Sequence, residues 1–282
     1  AIRLQHAVNT LTAQFFQMEG IGFENENVGF RNYYDQRNGM DIFGKTTRDM
    51  VLDDVGYKKY PDYHDFNPEW GMDVLKVGQS LGSGGIGYMY KDSLFRVGDN
   101  GLGTAEIITE GPLRSVFRFD FPNWNMNGTL INVQQEVTIR AGTHYFESQV
   151  SYEGVEENLV LVAGIVNKKS DSLYRADVEE KGFKAFYTHD TQAEDDSYLG
   201  MGIMAQAGDV TGTLTTPDTG GGITETYGVK MNAAVPGAPV YYRFYAVWEH
   251  QDEKWADRNA LEKQLQQDAH LAMHPVVIEQ TK

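Results

Sequence analysis

The chain has no cysteine among its 282 residues, which excludes a disulfide framework, a thiolate metal site and a cysteine nucleophile. Positive charge is scarce. Twenty-four Lys and Arg stand against 40 Asp and Glu, a formal net charge of −16 at pH 7. That balance lacks the cationic surface needed to neutralise a phosphate backbone, so nucleic acid is excluded as a partner. No apolar run approaches the roughly 18 residues of a membrane-crossing helix, and no membrane span is expected. No Pro- or Ser-rich linker divides the chain, so a single domain over 1–282 is expected. The sequence does have a core to bury. Hydrophobic residues make up 41% of it, with 16 Tyr, 14 Phe and 4 Trp, which excludes disorder. The first residue is Ala, and an acidic, cysteine-free composition suits a bacterial envelope or secreted protein. A removed leader and a periplasmic or secreted location are therefore expected.

Period-two alternation dominates the second half. Phe117, Phe119 and Phe121 oppose Arg118 and Asp120, and Ile131, Val133, Val137 and Ile139 alternate with Gln134, Glu136, Thr138 and Arg140. Phe146, Val150 and Tyr152 alternate with Glu147 and Gln149, and Tyr242, Phe244, Ala246 and Trp248 with Tyr241, Arg243, Tyr245 and Val247. These are half-buried strands. The apolar runs 160–166 and 199–205 read as strands covered on both faces, and 104–110, 212–216 and 223–231 as further strands. Turn signals stand at Asp99-Asn100-Gly101, Asn127-Gly128, Ala141-Gly142 and 217–222. Near the end, Asp252 is placed to cap a helix over about 252–273, with Pro275 as its stop. Residues 20–87 show little period and are rich in Asn, Asp, Tyr and Gly. Strands are expected there only at 28–34 and 72–77, between long polar loops of the kind that carry binding sites. The expected architecture is all-β, an antiparallel β-sandwich with a loop-rich N-terminal layer, a site region over about 20–90 and a C-terminal helix.

Several motifs carry little chemistry. The glycine cluster 77–87 has neither the Lys nor the following helix of a phosphate loop, and reads as a tight loop admitting close backbone approach. His270 and His274 have metal-ligand spacing, but Leu271 stands where a metalloprotease has Glu; they read as solvated helix-end histidines. There is no Gly-x-Ser-x-Gly elbow. Two stretches are richer. Residues 60–78 place Tyr63, His64, Trp70, acids and Lys76 in a loop leading into a strand, where a His flanked by carboxylates has the right pKa range for proton transfer. Arg31 has two readings: a two-pronged clamp on a substrate carboxylate, or a structural ion pair with Glu24, Glu26 or Asp41.

Those residues carry a resemblance. Glu24-Asn25, Val28, Phe30-Arg31, Tyr33, Asp41-Ile42 and Lys45, then His64, Gly71, Asp73, Lys76-Val77-Gly78, Leu81-Gly82 and Gly84-Gly85, followed by Gly111-Pro112-Leu113-Arg114 and Phe117 and the Trp248 to Trp255 region, resemble the bacterial domain-of-unknown-function family numbered 4861 over nearly the whole chain. The resemblance implies a galactose-mutarotase-like supersandwich. It also implies kinship with the oligosaccharide dehydratases of ulvan breakdown, carbon–oxygen lyases that remove water from a non-reducing-end glucuronate or iduronate and leave a 4,5-unsaturated uronate. The rival expectations are a polysaccharide lyase cleaving a uronate glycosidic bond by β-elimination, and a non-catalytic carbohydrate-binding or mutarotase-like module. The partner is then an acidic oligosaccharide.

Water loss across C4–C5 needs a group that stabilises charge building on the carboxylate, a base for the C5 proton and an acid for the departing hydroxyl. His64 is the first choice for base or acid, with Tyr88, Tyr34 or Tyr63 as the phenol. Arg31 is the clamp, Lys76 or Lys45 the second cation, and Asn25 a further hydrogen-bonding group. Trp70 and Trp124 offer faces to sugar rings. His144 and His189 replace His64 if the concave sheet face holds the site, and His64→Ala is expected to lose turnover while keeping the fold. No cofactor is expected. The acidic loops Asp53-Asp54 and Glu194-Asp195-Asp196 are of the type that binds a structural calcium ion, and are more simply solvated turns. Recognition of an acidic sugar by so acidic a chain needs a local cationic pocket, for which Arg31, Lys45 and Lys76 are the candidates.

Overall fold

The computed structural model describes residues 17–57, 59–60, 62–98, 102–178, 182–232 and 237–274, and the backbone of 2–5. Its strands in chain order are β1 (Ile2–Gln5), β2 (Gly20–Glu24), β3 (Val28–Tyr33), β4 (Met40–Lys45), β5 (Gly71–Asp73), β6 (Ile86–Tyr90), β7 (Ser93–Arg96), β8 (Leu102–Thr109) and β9 (Arg114–Met126). There follow β10 (Thr129–Arg140), β11 (Tyr145–Glu153), β12 (Val160–Val166), β13 (Tyr174–Ala176), β14 (Phe183–Asp190), β15 (Leu199–Gln206), β16 (Val210–Thr215), β17 (Thr226–Asn232) and β18 (Val240–Trp248). One α-helix, α1 (Arg258–Met273), closes the described chain. Among the described residues no helix is long and apolar enough to cross a membrane.

The strands form three antiparallel sheets. Nine strands run in the order β1-β8-β9-β10-β11-β18-β15-β14-β13, five in the order β16-β17-β12-β6-β7 and four in the order β2-β3-β4-β5. One apolar cluster draws on all three. Phe23 lies 4.5 Å from Phe117, Phe30 lies 5.0 Å from Phe146, and Tyr88 lies 5.6 Å from Tyr152, ring centre to ring centre. The inward side chains of the nine-stranded sheet are thus covered by the two smaller sheets together. Alternation in β9, β10, β11 and β18 follows from this, because every second residue meets the core and its neighbours face outward.

The 20–87 region departs from expectation. It holds a complete four-stranded sheet, whose strands β3 and β4 are buried at every position. A strand covered on both faces has no alternation to display, which is why β4 is unmarked in the sequence; β2 is short, with two glycines among its five residues and Phe23 alone buried. The expected strand at 72–77 is only Gly71–Asp73, and 74–77 leave the ladder. The glycine cluster does serve close approach, but of backbone to backbone. Gly84 N–H donates to the Gly164 carbonyl at 2.8 Å and Gly164 N–H to the Gly85 carbonyl at 3.0 Å, which joins the cluster to β12. At Gly71, φ is +127° and a Cβ would overlap the Gly44 carbonyl oxygen of the neighbouring strand. Gly71→Ala is expected to cost at least about 2 kcal/mol of stability, read as a lowered denaturation midpoint.

The C-terminal helix begins later than expected. Asp252 caps a 3-10 turn over Glu253–Ala256, which buries Trp255; the extended Asp257 then ends that turn and caps α1 by accepting from Asn259 N–H. Leu261, Leu265 and Ala269 of α1 pack on Ala185, Tyr187, Met204, Tyr245 and Val247, outward residues of the nine-stranded sheet. The helix therefore covers one end of that outer face and leaves the other open. The expected stop at Pro275 and the turn at 99–101 lie outside the described residues.

Candidate functional site

The residues singled out in 20–90 are not gathered at one surface. Arg31 is 1% exposed. Its Nη2 pairs with Asp41, which lies opposite in the β3–β4 register, and with Asp73 at 2.7 Å, and donates to the Tyr33 hydroxyl at 2.5 Å. Nη1 donates to the Met18 carbonyl at 2.9 Å and the Tyr63 hydroxyl at 3.2 Å. The guanidinium also lies over the rings of Tyr33 and Phe43. Of its two readings, the structure gives the structural ion pair, with Asp73 as an unforeseen second partner. Burial disfavours the Arg31 charge, but Asp41 and Asp73 raise its pKa well above the ordinary value. Burial, reinforced by Asp41, likewise holds the Asp73 carboxyl well above the usual range.

Lys45 and Asn25 are also committed internally. Lys45 Nζ is fully buried, pairing with Glu24 at 2.5 Å and donating to the Asn25 carbonyl at 2.7 Å. Asn25 Nδ2 donates to the carbonyls of Arg140 at 2.7 Å and Thr143 at 2.9 Å, tying the β2–β3 turn to the end of β10. Trp70 packs in a small core with Phe43 and Tyr60. Tyr88, 1% exposed, packs with Trp124 in the main core, and burial raises its phenol far above the ordinary value. Tyr34 is buried too, which pushes its phenol up to about 12. None of these presents a reactive atom or a ring face to a sugar. The side chain of His64 is 72% exposed, with its ring stacked on half-buried Tyr63. Lys76 is exposed on another surface, beside Lys168, Lys169 and Glu194.

The strand-borne histidines are engaged elsewhere. His189 is buried, its Nε2 at 2.8 Å from the Trp255 carbonyl. His144 packs edge-on against Trp255, and burial, with Lys254 nearby, lowers its pKa to about 4. A lowered folded-state pKa stabilises the fold above the unfolded value of about 6.5, and that contribution is lost as pH falls through about 4. His144→Gln is accordingly expected to flatten the loss of stability between pH 6.5 and 4, measured by denaturant midpoints across that range. His274 Nδ1 contacts the His270 carbonyl at 2.9 Å. In the acidic loop, Asp195 faces His250 at 3.2 Å and Asp196 pairs with Lys169 at 2.9 Å. Among the described residues no three His, Asp or Glu converge as a metal site requires.

The open part of the nine-stranded sheet's outer face forms a groove of about 540 Å³, within the roughly 300–1,000 Å³ of small-ligand sites. Strand register sets its residues in rows. Glu136, Gln149 and Tyr241 lie side by side across β10, β11 and β18, with Arg118 of β9 next to Glu136 but outside the groove lining. Val116, Thr138, Glu147 and Arg243 form the next row, and the third begins with Arg114 opposite Arg140. Strands lie about 4.8 Å apart and alternate residues about 7 Å apart along a strand, so the first and third rows are about 14 Å apart, a span that one sugar ring bridges only together with the length of the side chains on either side. Arg140 Nε donates to Glu147 at 2.9 Å, and Arg243 Nη2 to the other oxygen of Glu147 at 3.1 Å. Arg114, Glu136 and Tyr241 have no hydrogen-bond or ion-pair partner among the described residues. Two arginines directly opposite repel, and Glu147 is already shared by Arg140 and Arg243, so the Arg114 charge is uncompensated among the described residues. The groove holds three arginines and two glutamates, a local excess of one positive charge.

This groove was not foreseen because it depends on register. Glu136, Arg140, Glu147, Tyr241 and Arg243 were legible as outward residues. The hairpin turns at Asn127-Gly128 and Ala141-Gly142 are the signal from which their alignment could have been counted. Arg114 stood in the Gly111-Pro112-Leu113-Arg114 motif without a role.

The sequence model of a family described as "Domain of unknown function (DUF4861)" matches residues 1–278. A curated relative, "Uncharacterized protein P7" of Formosa agariphila, is 25% identical over 175 residues, covering 61% of this chain and 42% of its own length. The chain thus spans less than half of that relative. Among solved structures, a putative kojibiose phosphorylase from the human microbiome aligns with a TM-score of 0.50 and 8% identity, over 94% of this chain and 35% of the other. An α-mannosidase from Enterococcus faecalis V583 aligns with a TM-score of 0.47 and 12% identity, over 98% and 32%.

Proposed function

The chain belongs to the DUF4861 family, and we propose that it is a carbohydrate-active carbon–oxygen lyase. Its substrate is an acidic oligosaccharide of the ulvan type, bound on the outer groove of a galactose-mutarotase-like supersandwich in the periplasm or outside the cell. It removes water from the non-reducing-end glucuronate or iduronate and leaves a 4,5-unsaturated uronate. The observation that carries the reading is Arg114, unpaired among the described residues and opposite Arg140, in a groove whose Glu136 and Tyr241 are likewise unpaired among them. The likeness of fold to a putative kojibiose phosphorylase supports a sugar substrate.

In this reading the uronate carboxylate lies against Arg114 and Arg140, where charge building during C5 deprotonation is stabilised. Glu136 takes the C5 proton. The electron pair of the C–H bond becomes the C4=C5 double bond as the C4–O bond breaks. Tyr241 donates its phenolic proton to the departing hydroxyl, which leaves as water, and the phenolate is reprotonated from Glu136 or solvent. Arg243 and Arg140 hold Glu147 between them, which keeps both guanidinia extended along the groove floor.

The test is incubation with saturated uronate-ended oligosaccharides, followed by absorbance of the unsaturated uronate and by chain length. Rising absorbance without shortening is the expected outcome. Rising absorbance with shortening would make the protein a polysaccharide lyase, and no change with any uronate substrate would leave a binding module. His64 lies outside the groove, so its expected role as acid or base is replaced: His64→Ala is expected to keep turnover within about twofold and stability within about 0.5 kcal/mol.

A further inference from the structure

Every residue that lines the groove belongs to a strand of the nine-stranded sheet. Among the described residues no helix, loop or second sheet contributes an opposing wall. Glu136 and Tyr241 stand in one row on β10 and β18, with Gln149 of β11 between them. Strands two apart lie about 10 Å from each other, within which a carboxylate and a phenol projecting on the same side of the sheet can meet one substrate. Arg114 and Arg140 project on that side as well, two rows along. A sugar ring in the groove therefore meets its acid, its base and its cations on one face, and no described residue covers the other.

We propose that the groove performs a syn elimination, and so selects D-glucuronate over its C5 epimer L-iduronate and its C4 epimer D-galacturonate. This rests on the dehydratase reading and adds the stereochemistry of the substrate. In glucuronate the C5 hydrogen and the C4 hydroxyl lie on the same face of the ring. One orientation then brings the hydrogen to Glu136, the hydroxyl to Tyr241 and the carboxylate to Arg114. The C5–H electron pair forms the C4=C5 bond, Glu136 holds the proton, and the hydroxide leaves as water with the proton of Tyr241. A base acts only within hydrogen-bond reach of the proton it takes, and an acid within reach of the atom it protonates. Inverting C5 turns the hydrogen away from the sheet while the hydroxyl still faces it, so Glu136 loses its proton. Inverting C4 turns the hydroxyl away, so Tyr241 loses the leaving oxygen. Either epimer needs an acid and a base on opposite faces of the ring, and the described groove supplies one face alone.

The test uses the full chain and three disaccharides that share a reducing sugar and end in β-D-glucuronyl, α-L-iduronyl or β-D-galacturonyl. Water loss from any of them leaves the same unsaturated uronate, so one absorbance band reports all three on one scale. The kcat/KM for the glucuronyl probe is expected to exceed that for each epimer by about a hundredfold or more, the effect of an acid or base out of reach. Tyr241→Phe should lower glucuronyl turnover by a similar factor with its melting temperature kept. A preference below about tenfold over either epimer overturns the proposal and leaves the dehydratase reading standing, as does a folded Tyr241→Phe protein with undiminished turnover. No turnover of any probe overturns the dehydratase reading, and this proposal with it.

Discussion

Arg31→Ala is expected to lower the unfolding free energy by about 3–5 kcal/mol, the usual penalty for stranding buried charge. Against the roughly 5–15 kcal/mol that stabilises a typical domain, this is the largest single-residue effect foreseen outside the core. The cause is specific. Asp41 and Asp73 are both buried and both paired with the same guanidinium nitrogen, and Tyr33 donates to the Asp41 carboxylate at 2.7 Å. Without the cation, two neighbouring carboxyls face each other away from water, and that of Asp73, already raised by burial and by Asp41, loses the arginine that opposes the rise. Its folded-state pKa then lies further above the unfolded one. The stability tied to it is fully present below about pH 4 and is lost as pH rises through the raised value. The deficit of the variant relative to the wild type should therefore be large at pH 7 and shrink toward pH 4. Urea unfolding across that range checks it. A variant as stable as the wild type at pH 7 would show that Arg31 does not hold these acids.

Arg114→Ala should have the opposite profile, with little change in stability and a large loss of turnover. Arg114 is exposed and has no hydrogen-bond or ion-pair partner among the described residues, so its removal belongs among surface substitutions worth about 0.5 kcal/mol or less. Its loss should even relieve the repulsion from Arg140 across the β9–β10 pair. In the dehydratase reading it stabilises the charge developing on the uronate carboxylate, and losing one such group costs on the order of 10²–10³ in rate. Glu136→Gln keeps the shape and removes the base, with an expected loss of roughly 10²–10⁴. Initial rates on a uronate-ended oligosaccharide, with melting temperatures alongside, separate the two residues from Arg31. A folded Arg114→Ala protein that retains full activity would take Arg114 out of the mechanism.

These two arginines mark how far the sequence could be read. The strands of β9 to β11 and β18 were legible because one face meets the core and the other does not. β3 and β4 lie inside the protein, so their composition carries no period; of the four-stranded sheet only β3 and part of β5 were expected as strands, and β2 and β4 were read as loops. Arg31 was correctly seen as either a clamp or an ion pair. The residue type serves both, and only the opposing strand decides; Asp41 sits across from it, while Asp73 arrives from β5, remote in sequence. Trp70 and Trp124 were drawn into the candidate site because aromatics suit sugar faces, and Tyr88 as a phenolic acid, but burial of large aromatics is their commoner use. The groove residues are distributed across 114–243, and only the pairing of successive hairpins aligns them. In the proposed reading, the local cation excess that an acidic sugar requires lies at Arg114, Arg140 and Arg243 rather than at Arg31, Lys45 and Lys76.

The location of the site is the central claim, and a crystal structure of the Glu136→Gln protein with a saturated uronate-ended oligosaccharide tests it most directly. The sugar is expected over β9, β10 and β11, with its carboxylate within about 3 Å of the Arg114 guanidinium and its C4 hydroxyl facing Tyr241. A uronate seated instead beside Tyr63 and His64, with the groove empty, would contradict it.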